Sequence, residues 1–340
     1  MSHSAQQNRQ VILAARPRGF PVEADFQLVE SMVPEPDDGQ VVVQAAYLSV
    51  DPYMRGRMND AASYAKPVEI GQVMVGESVG KVIRSRNQRF PEGQHVAGMF
   101  GWQEYGVSSG AGLRKVDPAV APLTTALHVL GMPGLTAYFG LLEVCQPTAN
   151  ETVVVSGAAG AVGSVVGQLA RSAGCHVVGI AGSDDKVRYI TQELGYDHGL
   201  NYKTSDDLRE DLAKLCPRGV DVYFDNVGGP VTDAVFPLLN VAARVGICGQ
   251  ISQYNAREIP QGPRLLGHLI VKRATVRGFL VLDFVEKYHA ARSRLTELYR
   301  EGTLNCRERI TDGIENAPRA FMEMMQGANI GKQLVRLCPE

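Results

Sequence analysis

The stretch Val153-Val154-Val155-Ser156-Gly157-Ala158-Ala159-Gly160-Ala161-Val162-Gly163 constrains the fold more than any other part of the chain. Its apolar, β-branched start suits a parallel strand covered on both faces. Further on, Val162, Val165, Val166, Leu169 and Ala173 recur at i, i+3, i+4, i+7 and i+11, one stripe of a helix. Between strand and helix, glycines stand at 157, 160 and 163, a G-x-x-G-x-x-G spacing rather than the strict G-x-G-x-x-G. Strand, glycine turn and helix together make one βα unit.

The unit repeats. Residues 176–180 read as a second strand and 184–194 as a helix closed at Gly195. Residues 220–224 and 244–248 are further strands, and 275–281 an edge strand. Such alternation predicts a doubly wound parallel sheet. Before about residue 130 the texture differs: short apolar runs are broken by Gly, Pro and Asp. Residues 40–50, 78–84 and the surroundings of 95–97 read as strands of a compact antiparallel β domain. Near the end, 316–325 reads as a helix and 332–337 as a strand with no partner in the parallel sheet, able to return to the first domain.

Bulk properties exclude several classes. At 340 residues the length suits two domains, and a net charge of −2 with 45% hydrophobic residues is that of a soluble globular protein. No basic run speaks for nucleic acid. No segment reaches the ~20 apolar residues of a membrane span, and MSHSAQQNRQ at the N-terminus has no secretion-signal core. Six cysteines without a C-x-x-C pair predict reduced, mostly buried thiols. The expected location is the cytoplasm.

The glycine turn lets backbone N–H groups approach a pyrophosphate, helped by the partial positive charge of the helix N-terminus. The alternative is a tight βα turn that binds nothing. The end of the second strand decides the cofactor. It reads Ala181-Gly182-Ser183-Asp184-Asp185-Lys186, with no acid at the position that would bond the ribose hydroxyls. Ala181 to Ser183 leave room for a 2′-phosphate, Ser183 can donate to it, and Lys186 can pair with it. Asp184 and Asp185 then read as helix-start acids. Lys186 as a solvated helix lysine is the competing reading.

DPYMRGRM (51–58), GMPGLTAYFGLL (131–142), SGAAGAVGSVVGQLA (156–170), AGSDDK (181–186), NYKT (201–204), FDNVGG (224–229), CGQISQYN (248–255) and NIGK (329–332) follow one another along nearly the whole chain. In these segments the sequence resembles the medium-chain dehydrogenase/reductase superfamily, in its zinc-independent leukotriene/prostaglandin reductase and alkenal double-bond reductase branch. The resemblance implies a GroES-like β-barrel catalytic domain (1–129 plus 309–340) and an inserted Rossmann NADPH-binding domain (130–308), with the active site in the cleft. It implies that Gly160, Ala161, Val162 and Gly163 face the pyrophosphate. Lys186 and Tyr202, helped by Ser183, would hold the 2′-phosphate end, and Asn226 the nicotinamide end. Cys248, Gly249, Ile251, Ser252, Tyr254, Phe279, Leu280, Val281 and Asn329 would line the rest of the groove. A homodimer is implied too, through the sheet edge around 274–281.

No metal site is expected. Where zinc members carry a first cysteine ligand this chain reads Ser49-Val50-Asp51-Pro52, and G-H-E is replaced by Val75-Gly76-Glu77. The histidines (3, 95, 128, 176, 198, 268, 289) never lie within five residues of one another. His176 reads as a packed strand residue and the others as surface or loop residues. Without a metal, reduction of an α,β-unsaturated carbonyl is the better fit: hydride adds at the β-carbon, charge develops on the carbonyl oxygen, and a donor must meet it. The phenol of Tyr254 suits that task, alone or with the nicotinamide ribose hydroxyl. Tyr53 is the second candidate, shaping a hydrophobic conjugated substrate. Tyr64 and Tyr105 are possible cleft residues, and Arg55 reads as a structural ion-pair former or, as the alternative, an anion contact. The competing functions are a quinone oxidoreductase and a non-catalytic NADPH-binding protein.

Overall fold

The computed structural model describes residues 7–338, so His3 lies outside the described residues. The N-terminal strands are β1 (Gln7–Leu13), β2 (Phe26–Met32), β3 (Val41–Ser49), β4 (Glu77–Ser85), β5 (His95–Met99), β6 (Tyr105–Ser108) and β7 (Arg114–Lys115). Helix α1 (Tyr53–Arg57) interrupts them, and α2 (Met132–Phe139) follows. Next come β8 (Thr152–Ser156), α3 (Gly163–Ser172), β9 (His176–Ala181), α4 (Asp184–Arg188), β10 (His198–Asn201) and α5 (Leu208–Leu215). They are followed by β11 (Val220–Asp225), α6 (Pro230–Val235), β12 (Leu239–Ile247), α7 (Leu266–Lys272), β13 (Thr275–Gly278) and α8 (Tyr288–Arg300). The chain closes with β14 (Glu308–Asp312), α9 (Ala317–Met325) and β15 (Lys332–Arg336).

Two compact units result. The first holds residues 7–127, 308–329 and 333–338; the second holds His128–Arg307 and Ile330–Lys332. In the first, β14-β15-β3-β4-β5-β7 form a sheet, with β6 also on β3 and a separate β1-β2 pair. β15 runs antiparallel to β3, Leu334 facing Ser49, so the unpartnered strand of the sequence does return. Two register shifts interrupt the β3–β4 ladder, with Ile83 of β4 and Ala46 of β3 as the extra residues. The core explains why the tail belongs here: Phe321 of α9 meets Trp102 and Phe26 edge-on at 5.9 and 6.2 Å, and those two rings stack at 5.7 Å. Each such aromatic pair adds about 1 kcal/mol beyond its buried area.

The second unit is a six-stranded sheet, β10-β9-β8-β11-β12-β13, parallel throughout. Val153, Val154 and Val155 are fully buried in its centre, which is why that strand shows no alternation. The chain winds from β8 out to β10, then returns to the other side of β8 with β11. The switch point lies between the ends of β8 and β11.

Several expectations need correction. Helix α3 is buried from Gly163 to Ala170, Ser164 and Gln168 included, because Gln168 exchanges two bonds with the backbone of Asn305. The 184–194 helix is α4 followed by a wider turn over Tyr189–Glu193, and the chain does turn at Gly195. The edge strand stops at Gly278. The β1-β2 pair and β10 had no sequence expectation. His128, read as a surface or loop residue, does lie in a turn but is completely buried. All six cysteines are free; Cys145, Cys175 and Cys216 are buried, while Cys248, Cys306 and Cys338 are only half-buried.

Candidate nucleotide site

The turn between β8 and α3 is built by close backbone approach. Gly157 takes φ +60°, the left-handed region that side chains rarely adopt. A Cβ on Gly163 would stand 2.4 Å from the Gly157 carbonyl oxygen and 2.8 Å from Ala158 Cα, and one on Gly160 would stand 3.2 Å from that oxygen. Helix α3 begins at Gly163, with Ala161 and Val162 just before it, so this turn presents the kind of backbone N–H groups that a pyrophosphate would need. Two braces hold the turn. Gly331 donates to Ala159 O at 2.8 Å, and His128 Nε2 meets Ala161 O at 3.1 Å.

The end of β9 forms the second half. Ser183 caps α4, its hydroxyl accepting from the Lys186 backbone at 3.3 Å; the hydroxyl proton points elsewhere and can be donated. Asp184 Oδ1 accepts from Asn201 Nδ2 at 2.8 Å, and Asp185 pairs with Arg188. Both acids are thus occupied in holding α4, though the cap itself is Ser183. Opposite stands β10. Tyr202 is bonded through its backbone to Ala181 O at 3.1 Å, and its ring lies 6.0 Å from Lys203 Nζ. A Cβ on Gly182 would meet Tyr202 and Lys203 at 3.1 and 3.4 Å, so only a small residue leaves this space open.

Burial, and after it the charge of Lys203, lowers the pKa of the Lys186 ammonium. Ser183, Lys186, Tyr202 and Lys203 offer a hydroxyl, two ammonium groups and a phenol, a donor set whose chemistry suits a phosphomonoester. The residues present therefore fit a 2′-phosphorylated dinucleotide. Lys203 was missed in the sequence, since a lysine beside a polar turn has no periodic signature.

A third group of residues surrounds the switch point. Asn226 donates its amide to Ser156 O at 2.7 Å. Tyr254 is half-buried, its hydroxyl accepting from the Gln250 N–H at 3.2 Å. Gly249 lies beneath it, where a Cβ would approach that hydroxyl to 3.2 Å. Ser252 is exposed and bonds Val227 O; Ile251 is half-buried. Burial pushes the Cys248 thiol up to about 12, which keeps it protonated. Phe279 is buried edge-on to Phe224 at 6.0 Å, a packing role, while Leu280 and Val281 are half-buried.

The remaining candidates belong to the first unit. Tyr53 opens α1; burial, then Asp51 and Glu77, raise its pKa far above the ordinary phenol value. Arg55 is buried and donates to Gly19 O at 2.8 Å and Asn59 Oδ1 at 2.6 Å. Tyr105 is buried with its hydroxyl bonded by Gln44 at 3.0 Å, a structural role. Tyr64 is exposed and Asn329 half-buried.

Residues 9–116 match the model of an N-terminal domain of oxidoreductases, and 161–297 that of zinc-binding dehydrogenases. The chain is 45% identical over 342 residues to the NADPH-dependent curcumin reductase of Escherichia coli, covering 99% of each. It is 45% identical over 323 residues to mouse prostaglandin reductase 1, covering 94% of this chain and 95% of that one. The structure of CurA from Vibrio vulnificus in complex with NADPH superposes with a TM-score of 0.93 at 43% identity, covering 98% of this chain and 100% of the other. The Rossmann-type sheet, the separate N-terminal unit and these full-length likenesses place the chain in the medium-chain dehydrogenase/reductase superfamily, in the branch that contains the curcumin and prostaglandin reductases.

Proposed function

We propose that this protein is an NADPH-dependent oxidoreductase that reduces the C=C bond of α,β-unsaturated ketones and aldehydes. The observation that carries the cofactor is the receptor made by Ser183, Lys186, Tyr202 and Lys203, where an NAD enzyme would place an acid. Support for the reaction comes from the curcumin and prostaglandin reductases, which share nearly the whole chain. Bound NADPH supplies the hydride that adds at the β-carbon.

The protein's own residues then have three tasks. The glycine turn and Gly160–Gly163 anchor the pyrophosphate, the lysine pair anchors the 2′-phosphate, and Asn226 with the 248–254 and 279–281 segments and Asn329 holds the remainder. Tyr254 offers its hydroxyl hydrogen to the developing enolate oxygen, a role it shares with the cofactor ribose hydroxyl. Tyr53, a phenol kept neutral by its surroundings, shapes the apolar substrate site.

The protein works in the cytoplasm as a homodimer. Among the described residues no helix is long and apolar enough to cross a membrane. On the second unit, Leu266, Ile270 and Val271 of α7 and Val276 of the edge strand are exposed, an apolar surface beside open backbone groups that a second copy can cover.

The decisive experiment supplies purified protein with NADPH and an alkenal, an enone or curcumin. NADPH should be consumed only when the electrophile is present, and the product should have lost its C=C bond and kept its carbonyl. An alcohol product would overturn the assignment.

A further inference from the structure

Asp225 ends β11 at the switch point and is completely buried. Its Oδ1 accepts from the hydroxyls of Ser156 and Tyr223 and from the N–H groups of Val227 and Gly228, each at 2.9 Å. Its Oδ2 accepts from the Thr232 hydroxyl at 2.6 Å and from Gln250 Nε2 at 3.1 Å. The carbonyl of the same residue accepts from Cys248 N at 2.8 Å and Gly249 N at 3.1 Å.

A buried carboxylate costs several kcal/mol of desolvation. Among the described residues no lysine, arginine or histidine forms an ion pair with Asp225; neutral dipoles alone surround it. Such a shell is directional. Ser156 ties Asp225 to the end of β8, the two N–H groups fix the loop after β11, and Gln250 fixes the loop after β12. Gln250 in turn donates its backbone N–H to the Tyr254 hydroxyl at 3.2 Å. The two loops are also stitched directly, Ser252 N and Oγ bonding Val227 O at 3.1 and 2.6 Å.

We propose that Asp225 is the positioning residue for the reactive end of the cofactor site. It holds the loops bearing Asn226 and Tyr254 in one arrangement, and through Gln250 it orients the Tyr254 phenol. This rests on the reading that those loops receive NADPH and that Tyr254 faces the substrate.

The test uses the full-length variants Asp225→Asn and Gln250→Met, with folding checked by circular dichroism. Binding of NADPH and of adenosine 2′,5′-bisphosphate, which reaches only the phosphate end, is measured by fluorescence and competition, and kcat with an alkenal at saturating NADPH. Asp225→Asn turns an amide toward a ring of donors, so NADPH affinity and kcat should each fall about tenfold while bisphosphate affinity holds. Gln250→Met should lower kcat about fivefold and weaken NADPH binding about threefold or less, with bisphosphate affinity unchanged. Parallel losses of NADPH and bisphosphate affinity, or folded variants with wild-type kcat, would overturn the proposal. If Asp225→Asn does not fold, Gln250→Met decides alone. Should the wild-type protein bind NADPH yet reduce no alkenal, the substrate reading fails, and the contrast between NADPH and bisphosphate binding still judges Asp225.

Discussion

The Nε2 atom of His128 stands 3.1 Å from the carbonyl oxygen of Ala161, inside the glycine turn. Burial, reinforced by the charge of Lys332, lowers the imidazole pKa to about 3. The ring is therefore neutral at physiological pH and donates through Nε2. Its Nδ1 has no hydrogen-bond partner, consistent with that tautomer.

A pH dependence of stability follows. The unfolded chain takes up a proton at this side chain near pH 6.5, whereas the folded chain does so only near pH 3. The stability linked to His128 is thus complete above 6.5 and is lost as pH falls toward 3, by up to about 1.4 kcal/mol per pH unit. Thermal melts between pH 7 and 4.5 should fall less steeply for His128→Gln, which keeps a donor and does not titrate. Equal slopes would dismiss the idea.

Lys203→Ala and Lys186→Ala should each weaken NADPH binding by about tenfold or more, the worth of a charge-assisted bond to phosphate. NADH binding should not change. Titration of both cofactors by fluorescence checks this, and an equal effect on NADH would mean that the lysines are surface charges.

The lowered pKa of Lys186 predicts that NADPH affinity declines with rising pH before an ordinary lysine, near pH 10.4, would lose its proton. The protonated form binds the phosphate, so affinity is present below the lowered pKa and lost above it. NADH, lacking the phosphate, should show a flat profile over the same range.

Gly163→Ala should destabilise the protein by about 2 kcal/mol or more, because the methyl group meets fixed backbone rather than a flexible side chain. Denaturant unfolding measures the loss; a variant as stable as wild type would show that the turn can open.

Tyr254→Phe should lower kcat by about three- to tenfold with an unchanged KM for NADPH, since a cofactor hydroxyl remains as donor. An unaltered kcat would remove Tyr254 from the chemistry.

The sequence made legible whatever depends on local pattern. The β-branched run at 153–155, the glycine spacing and the missing acid at 181–183 were enough for the parallel sheet and the NADPH assignment. Legibility ended where partners are distant in the chain. His128 sits in an apolar stretch of no special periodicity, and only the fold brings it to Ala161. Asp225 was visible within FDNVGG, yet its donors come from 156, 223, 227, 228, 232 and 250, a set that no spacing rule would gather. Lys203 lay beside Tyr202 and was hidden by its ordinariness. Helix α3 misled in the opposite sense: Ser164 and Gln168 look like a polar face, and both are buried by polar bonding rather than by apolar packing.

The bond from Gly331 to Ala159 has a consequence for how the protein is made. The glycine turn leaves the ribosome long before its brace, because Gly331 follows Ala159 at a great distance along the chain. Until Ile330–Lys332 emerge, the nascent second unit lacks a piece of itself. Completion of the glycine turn thus waits on distant residues, and a chain that stops before Gly331 carries every glycine of the cradle without the strut that closes it.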